Sequence, residues 1–135
     1  MIVVDASFVI AHVLGEDVAV EQANLIETLR QERLIAPAHW PAEISNALVT
    51  NVRRKRISLQ DVGLILDELA TYTIEIQPAF AGDAARLVAI SSEQNLTAYD
   101  AAYVILAMDL KASIATLDKA MRQAALRLKL NVLPV

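Results

Sequence analysis

Residues 1–10 read "MIVVDASFVI", and they decide the fold class. Ile2, Val3 and Val4 are β-branched, apolar and unalternating, which is the habit of a strand buried on both faces inside a parallel sheet covered by helices. The run then meets Asp5, a residue costly to bury without a partner or a cation. Apolar residues resume at Phe8. Ser7 is placed to cap a first helix reaching about Leu14, where Gly15 would end it.

The rest of the chain repeats the alternation. An apolar helical stripe predicts a helix over residues 17–31, followed by the strand "LIAP" at 34–37, which Pro37 closes. Pro41 suits the first turn of a helix over 41–54. Ser58 with Asp61 three positions on makes a capping-box start for a helix to about Leu69. "YTIEI" at 72–76 alternates, the pattern of a strand near a sheet edge. Helices over 80–94 and 97–110 follow. "SIATLD" at 113–118 contains a strand ending at Thr116 or Leu117, a basic helix covers 119–128, and "NVLPV" closes as a last short strand. Strand and helix in turn predict a three-layer α/β fold around a mainly parallel sheet. No repeat, low-complexity segment or linker interrupts the pattern, so residues 1–135 are expected to form one domain.

Composition agrees. A chain of 135 residues can bury close to ~70% of its unfolded surface without staples. Its hydrophobic fraction is 56% with few aromatics, so the core must be Ala, Val, Ile and Leu. There is no cysteine, which removes disulfides and thiolate chemistry and fits a reducing cytoplasm. The apolar N-terminus lacks a basic leader and is broken by Asp5, and the longest later apolar run, "AAYVILAM", is far short of the ~20 residues that cross a bilayer. A soluble, unprocessed protein with no membrane partner is expected. With 16 acidic and 12 basic residues the formal charge is −4, so a general basic field for nucleic acid is missing and any polyanion must be held locally or through metal. The one dense basic run, "RRKR" at 53–56, reads equally as a solvated helix end or as a phosphate patch.

In open parallel sheets, ligands sit beyond the carboxyl ends of the strands. Asp5 ends the first strand, Asp118 follows "SIAT", Asp100 falls in the first turn of the helix from Thr97, and Glu43 lies on a polar edge of the third helix with Asn46, Thr50 and Arg53. Each has a plain structural use. Asp118 suits an N-cap, Asp100 the acidic half of a capping box with Thr97, and Glu43 a solvated helix face. Together, however, acids converging from separate segments repel one another and hold protons more tightly unless a cation shares them. Carboxylates without Cys or paired His suit Mg²⁺ or Mn²⁺ better than Zn²⁺. Such a site activates water and stabilises a leaving oxygen, so the implied chemistry is hydrolysis of a phosphate ester.

Four blocks, "VVDASFVI", "PAHWPAEISNAL", "LTAYDAAYVILA" and "ATLDKAM", resemble in order and spacing the motifs of PIN-domain ribonucleases, most closely the VapC-like toxins of toxin-antitoxin pairs. The resemblance covers essentially the whole chain. It implies an α/β/α sandwich and a metal-dependent endoribonuclease whose acids are Asp5, Glu43, Asp100 and Asp118. Ser7, Asn46 and Thr116 match the family's accompanying polar residues. It implies also a homodimer and a cognate antitoxin whose tail occupies the acidic groove. All four acids are present, which favours an active enzyme over the alternative, a non-catalytic PIN-like module that binds RNA or protein.

Other chemistries have less support. His12 and His39 lack a nucleophile elbow or a metal-binding His spacing and read as helix-edge residues. The three glycines form no phosphate loop. A phosphatase using Asp5 as nucleophile commonly wants a second Asp at the position Ser7 occupies. Arg53, Lys119 and Arg122 are candidates for the RNA backbone, since phosphate contacts supply affinity without reading sequence. Tyr99 and Trp40 can stack on unpaired bases, although a core role suits Trp40 better in so aromatic-poor a chain.

Overall fold

The computed structural model describes residues 1–15 and 20–135, with the side chains of all of these except 20–23. The first strand, β1 (Ile2–Val4), is the middle of a five-stranded sheet. It pairs in parallel with β2 (Leu34–Pro37) on one side and with β4 (Ser113–Ala115) on the other. β3 (Ile74–Gln77) pairs with β2 and β5 (Val132–Leu133) with β4, both parallel, giving the order β3-β2-β1-β4-β5. β1 and β2 are buried throughout, as their unbroken apolar runs require, while β3 is largely exposed, as its alternation predicts for an edge.

Successive residues of the central strands feed two cores. Ile2, Val4, Leu34, Ala36 and Ala115 pack against α1 (Ala6–Val13), α2 (Val20–Gln31), α3 (Trp40–Arg53) and α4 (Leu59–Leu69). Val3, Ile35 and Ile114 point the other way, against α6 (Ala98–Leu110) and α7 (Lys119–Arg127), with α5 (Asp83–Gln94) flanking them. These are the three layers of an α/β/α sandwich. The connection from β3 through α5 and α6 skips past β2 and β1 to reach β4, so the winding reverses between β1 and β4. Crevices form at such switch points, outside the carboxyl ends of the strands.

Local signals fix most helix ends, with some corrections. Ser58 and Asp61 form a full capping box, so Ser58→Ala is expected to cost about 1 kcal/mol. In a chain of this length that lowers the melting temperature by about 4 °C, measurable by thermal denaturation; an unchanged midpoint would show that the box contributes nothing. Gly15 follows α1 at φ +66°, the left-handed conformation expected of a helix stop. Ser7, expected to cap α1, lies inside it. Asp5 is the N-cap, in extended backbone, and its Oδ1 accepts the Ser7 N–H at 3.3 Å. α5 starts at Asp83 and not at Phe80, because the Asp83 carboxylate accepts the Phe80 N–H at 2.9 Å and holds the preceding residues as a turn. β4 ends at Ala115, ahead of the expected Thr116 or Leu117, and just beyond it the Thr116 hydroxyl bonds Asp5 and the Asp118 N–H. The expected helix start at residues 17–19 lies outside the described residues. Among the described residues no helix is long and apolar enough to cross a membrane.

Candidate active site

Three elements at the switch point carry Asp5, Asp100 and Asp118, and α3 from the neighbouring strand adds Glu43. Asp5 caps α1 directly after β1 and is only 3% exposed. Its Oδ2 accepts hydroxyl bonds from Ser7 and, at 2.7 Å, from Thr116. Thr116 is fully buried, and its oxygen also accepts the Asp118 N–H at 3.0 Å. That one hydroxyl therefore links the ends of β1 and β4. Asp118 in turn caps α7, its Oδ1 accepting the Met121 N–H at 2.7 Å. The capping role suggested by its position is real, and it fixes the carboxyl group at the crevice by one oxygen.

Asp100 enters from α6. The Thr97 hydroxyl accepts its N–H at 3.2 Å, which sets the first turn of that helix. The proton affinity of Asp100 is raised first by burial and then by the negative charges of Asp118, Asp5 and Glu43, with the Thr97 hydroxyl opposing. All four acids thus share one field, and Asp100 stands where the other three are felt. Asp5 is raised too, mainly by burial and slightly by Glu43, against the bonds from Ser7 and Thr116. Even so, among the described residues no three Asp, Glu or His side chains are drawn together tightly enough to enclose one ion. The acids lie within electrostatic reach of one another at the strand ends without closing on one centre.

Glu43 behaves differently. Burial pushes its carboxyl group up, but His39 and Tyr103 outweigh burial and hold it below the ordinary value. The Tyr103 hydroxyl donates to Oε1 at 2.7 Å. His39 Nε2 lies 2.9 Å from the same oxygen, and its contact does more than that of Tyr103 to hold Glu43 down. The His39 ring sits edge-on to Tyr99 and Tyr103, at 5.4 and 5.3 Å between centroids. Sequence alone does not single out Tyr103, and it presents His39 only as a helix-edge residue. His39 does flank α3, yet both residues touch a candidate acid. The available signal for Tyr103 was its position one helical turn after Asp100, on the same face of α6. His12, by contrast, stands 3.9 Å from Glu68 in a peripheral pair.

The remaining candidates are spread out. Ser7 contacts Asp5 directly, whereas Asn46 is exposed one turn beyond Glu43. Arg53 is about 15 Å along α3 from Glu43 by helical rise, and lines an apolar groove between α3 and α4 with Leu48, Val52, Leu59 and Leu66. Arg122 bonds the carbonyls of Thr116, Leu133 and Pro134, so its guanidinium ties down the chain end and has few donors left for phosphate. Lys119 is exposed beside Asp118 in the first turn of α7. Tyr99 is exposed next to Asp100, and Trp40 packs into both cores.

An all-parallel α/β sandwich with four acids around its switch point defines a doubly wound protein with an acidic cluster at its strand ends. The chain belongs to the PIN domain family, whose model matches residues 2–126; PIN domains are generally nucleases. The fold is similar to the crystal structure of PAE2754 from Pyrobaculum aerophilum, with a TM-score of 0.70 at 21% identity over 97% of this chain and 81% of that one. It is also similar to that of FitAcB from Neisseria gonorrhoeae, with a TM-score of 0.58 at 19% identity over 98% and 96% of the two chains. No curated protein matches the sequence.

Proposed function

We propose that this PIN domain is a metal-dependent endoribonuclease that hydrolyses RNA phosphodiester bonds, and that it is the toxin of a toxin-antitoxin pair. The observation that carries the reading is the gathering of acids at the carboxyl ends of the strands, where the Thr116 hydroxyl ties Asp5 to Asp118, and where burial, then the charges of Asp118, Asp5 and Glu43, raise the proton affinity of Asp100. Four acids that disfavour one another's charge gain most from a shared divalent cation. The donor set is oxygen only, with the imidazole of His39 turned to Glu43, which suits Mg²⁺ or Mn²⁺. Asp5, Asp100, Asp118 and Glu43 would hold the ion. When bound, it supplies Lewis acidity toward a phosphate oxygen and lowers the pKa of a coordinated water.

The chain's own residues do the rest. Ser7 and Thr116 fix the Asp5 carboxylate through both hydroxyls. Asn46, exposed beyond Glu43, is placed for a polar contact with substrate, and Lys119 for a neighbouring phosphate. Arg53 can serve only a phosphate several nucleotides away, and Arg122 acts chiefly by holding the frame of Thr116. Tyr99 offers an exposed ring to an unpaired base. The cognate antitoxin, the homodimer, a cytoplasmic setting and the single domain over 1–135 belong to the same proposal. The exposed apolar side chains Ile76, Phe80 and Val88 around β3 and α5 support pairing with a second copy.

A second reading, a PIN-like module that binds RNA or protein without cutting, is favoured by the open arrangement of the acids. Sequencing of RNA ends after brief expression separates the two. Wild type should create new ends that Asp100→Asn does not; identical end profiles for the two would discard the nuclease reading.

A further inference from the structure

Two hydroxyls, those of Thr116 and Tyr103, stitch the acids together, and the resemblance to known motifs assigns a role only to Thr116. Thr116 donates to Asp5 and accepts from the Asp118 backbone, so it fixes one pair of acids. Tyr103 stands in a similar relation to a second, overlapping pair, Glu43 and Asp5. Its hydroxyl donates to Glu43 at 2.7 Å and accepts the Ala6 N–H at 3.4 Å. Ala6 is the first residue of α1, buried, and directly follows Asp5. First-turn N–H groups have no partner within their own helix, and a buried one needs a partner from elsewhere. The phenol has a single proton, which goes to Glu43, and a lone pair, which faces Ala6. The ring is 0% exposed and packs edge-on against His39, so the oxygen has little freedom to move.

We infer that the Tyr103 hydroxyl is a positioning group that sets where the Glu43 carboxylate stands relative to Asp5, and thereby the affinity of the crevice for a divalent metal. The inference rests on the reading of the crevice as a metal site. α6 delivers Asp100 and this hydroxyl one turn apart, so a single rigid helix supplies one acid and registers two others. Partners that orient a metal's ligands are worth about 10–100-fold in affinity. A directed bond from a fully buried group belongs in that range.

The test is a calorimetric Mn²⁺ titration of the full chain as wild type, Tyr103→Phe and Tyr72→Phe. Phe retains the ring and removes only the oxygen. Tyr72 is the control, because it too is buried and its hydroxyl has no hydrogen-bond partner among the described residues. Tyr103→Phe should bind Mn²⁺ at least about 10-fold more weakly, with Tyr72→Phe equal to wild type. In metal-free protein, the carboxyl carbon resonance of Glu43 and the amide of Ala6 should both move in Tyr103→Phe. Unchanged Mn²⁺ affinity in Tyr103→Phe, or Glu43 and Ala6 resonances that stay in place, would overturn the inference alone. A wild type that takes up no Mn²⁺ would remove the crevice reading and this inference with it.

Discussion

Asp5→Asn should reduce RNA cleavage by more than about 100-fold while leaving the fold intact or slightly more stable. Losing a group that merely orients a metal ligand costs about 10–100-fold, so losing a charged ligand at the centre of the crevice should exceed that. The stability expectation follows from burial. The folded protein holds the Asp5 proton more tightly than the unfolded chain does, so the carboxyl group favours folding fully below about pH 4 and that contribution is lost as pH rises through the raised folded value. At pH 7 a buried charge therefore weighs against the native state. Asn removes the charge at nearly constant volume, and the Ser7 and Thr116 hydroxyls can turn to suit an amide. In metal-free buffer, the melting temperature of Asp5→Asn should equal or exceed that of wild type at pH 7, with the gap closing as pH falls toward 4. A variant that cleaves at the wild-type rate would sink the assignment of Asp5. One that melts well below wild type at pH 7 would show that the cap and hydroxyl bonds outweigh the buried charge.

Removal of divalent metal is expected to have an effect as large. Cleavage by purified protein should disappear in excess chelator and return on addition of Mg²⁺ or Mn²⁺, because the acids alone offer no strong electrophile for a phosphate oxygen. The same ion should stabilise the fold by mass action. At a hundred times its dissociation constant, a ligand that binds only the native state contributes about 2.7 kcal/mol, which is about 10 °C in the melting temperature of a chain this long. That gain should shrink as pH falls and protons compete for Asp5 and Asp100, whose proton affinities are both raised. Cleavage at full rate in chelator would point to a metal-free mechanism.

The parts of this account that sequence could reach are those written in local pattern. Unalternating "IVV" announces a buried strand, "LIAP" a second strand, alternating "YTIEI" an edge, and Ser58 with Asp61 a helix start, because each depends on neighbours within a few residues. Asp5, Glu43, Asp100 and Asp118 stand out as acids at strand ends or helix edges for the same reason. What pattern does not carry is pairing across the fold. Tyr103 and Glu43 are sixty residues apart and Thr116 and Asp5 more than a hundred, so nothing local says that one hydroxyl serves the other's carboxylate. The first helix shows the limit at close range. Ser7 and Asp5 are both good caps, and the choice falls to Asp5 because β1 must end in extended backbone just where Thr116 waits to bond it. The basic residues were least legible. Arg122 resembles a phosphate ligand by type and position, yet the carbonyls of Thr116, Leu133 and Pro134 at the end of the sheet claim its guanidinium.

The central claim, that four acids from four segments share one divalent cation, is tested most directly by electron paramagnetic resonance of Mn²⁺ titrated into wild type and into Asp5→Asn, Glu43→Gln, Asp100→Asn and Asp118→Asn. The account predicts saturable Mn²⁺ uptake by wild type and weaker uptake by each of the four variants. Uptake unchanged across all four, or none by wild type, would contradict it.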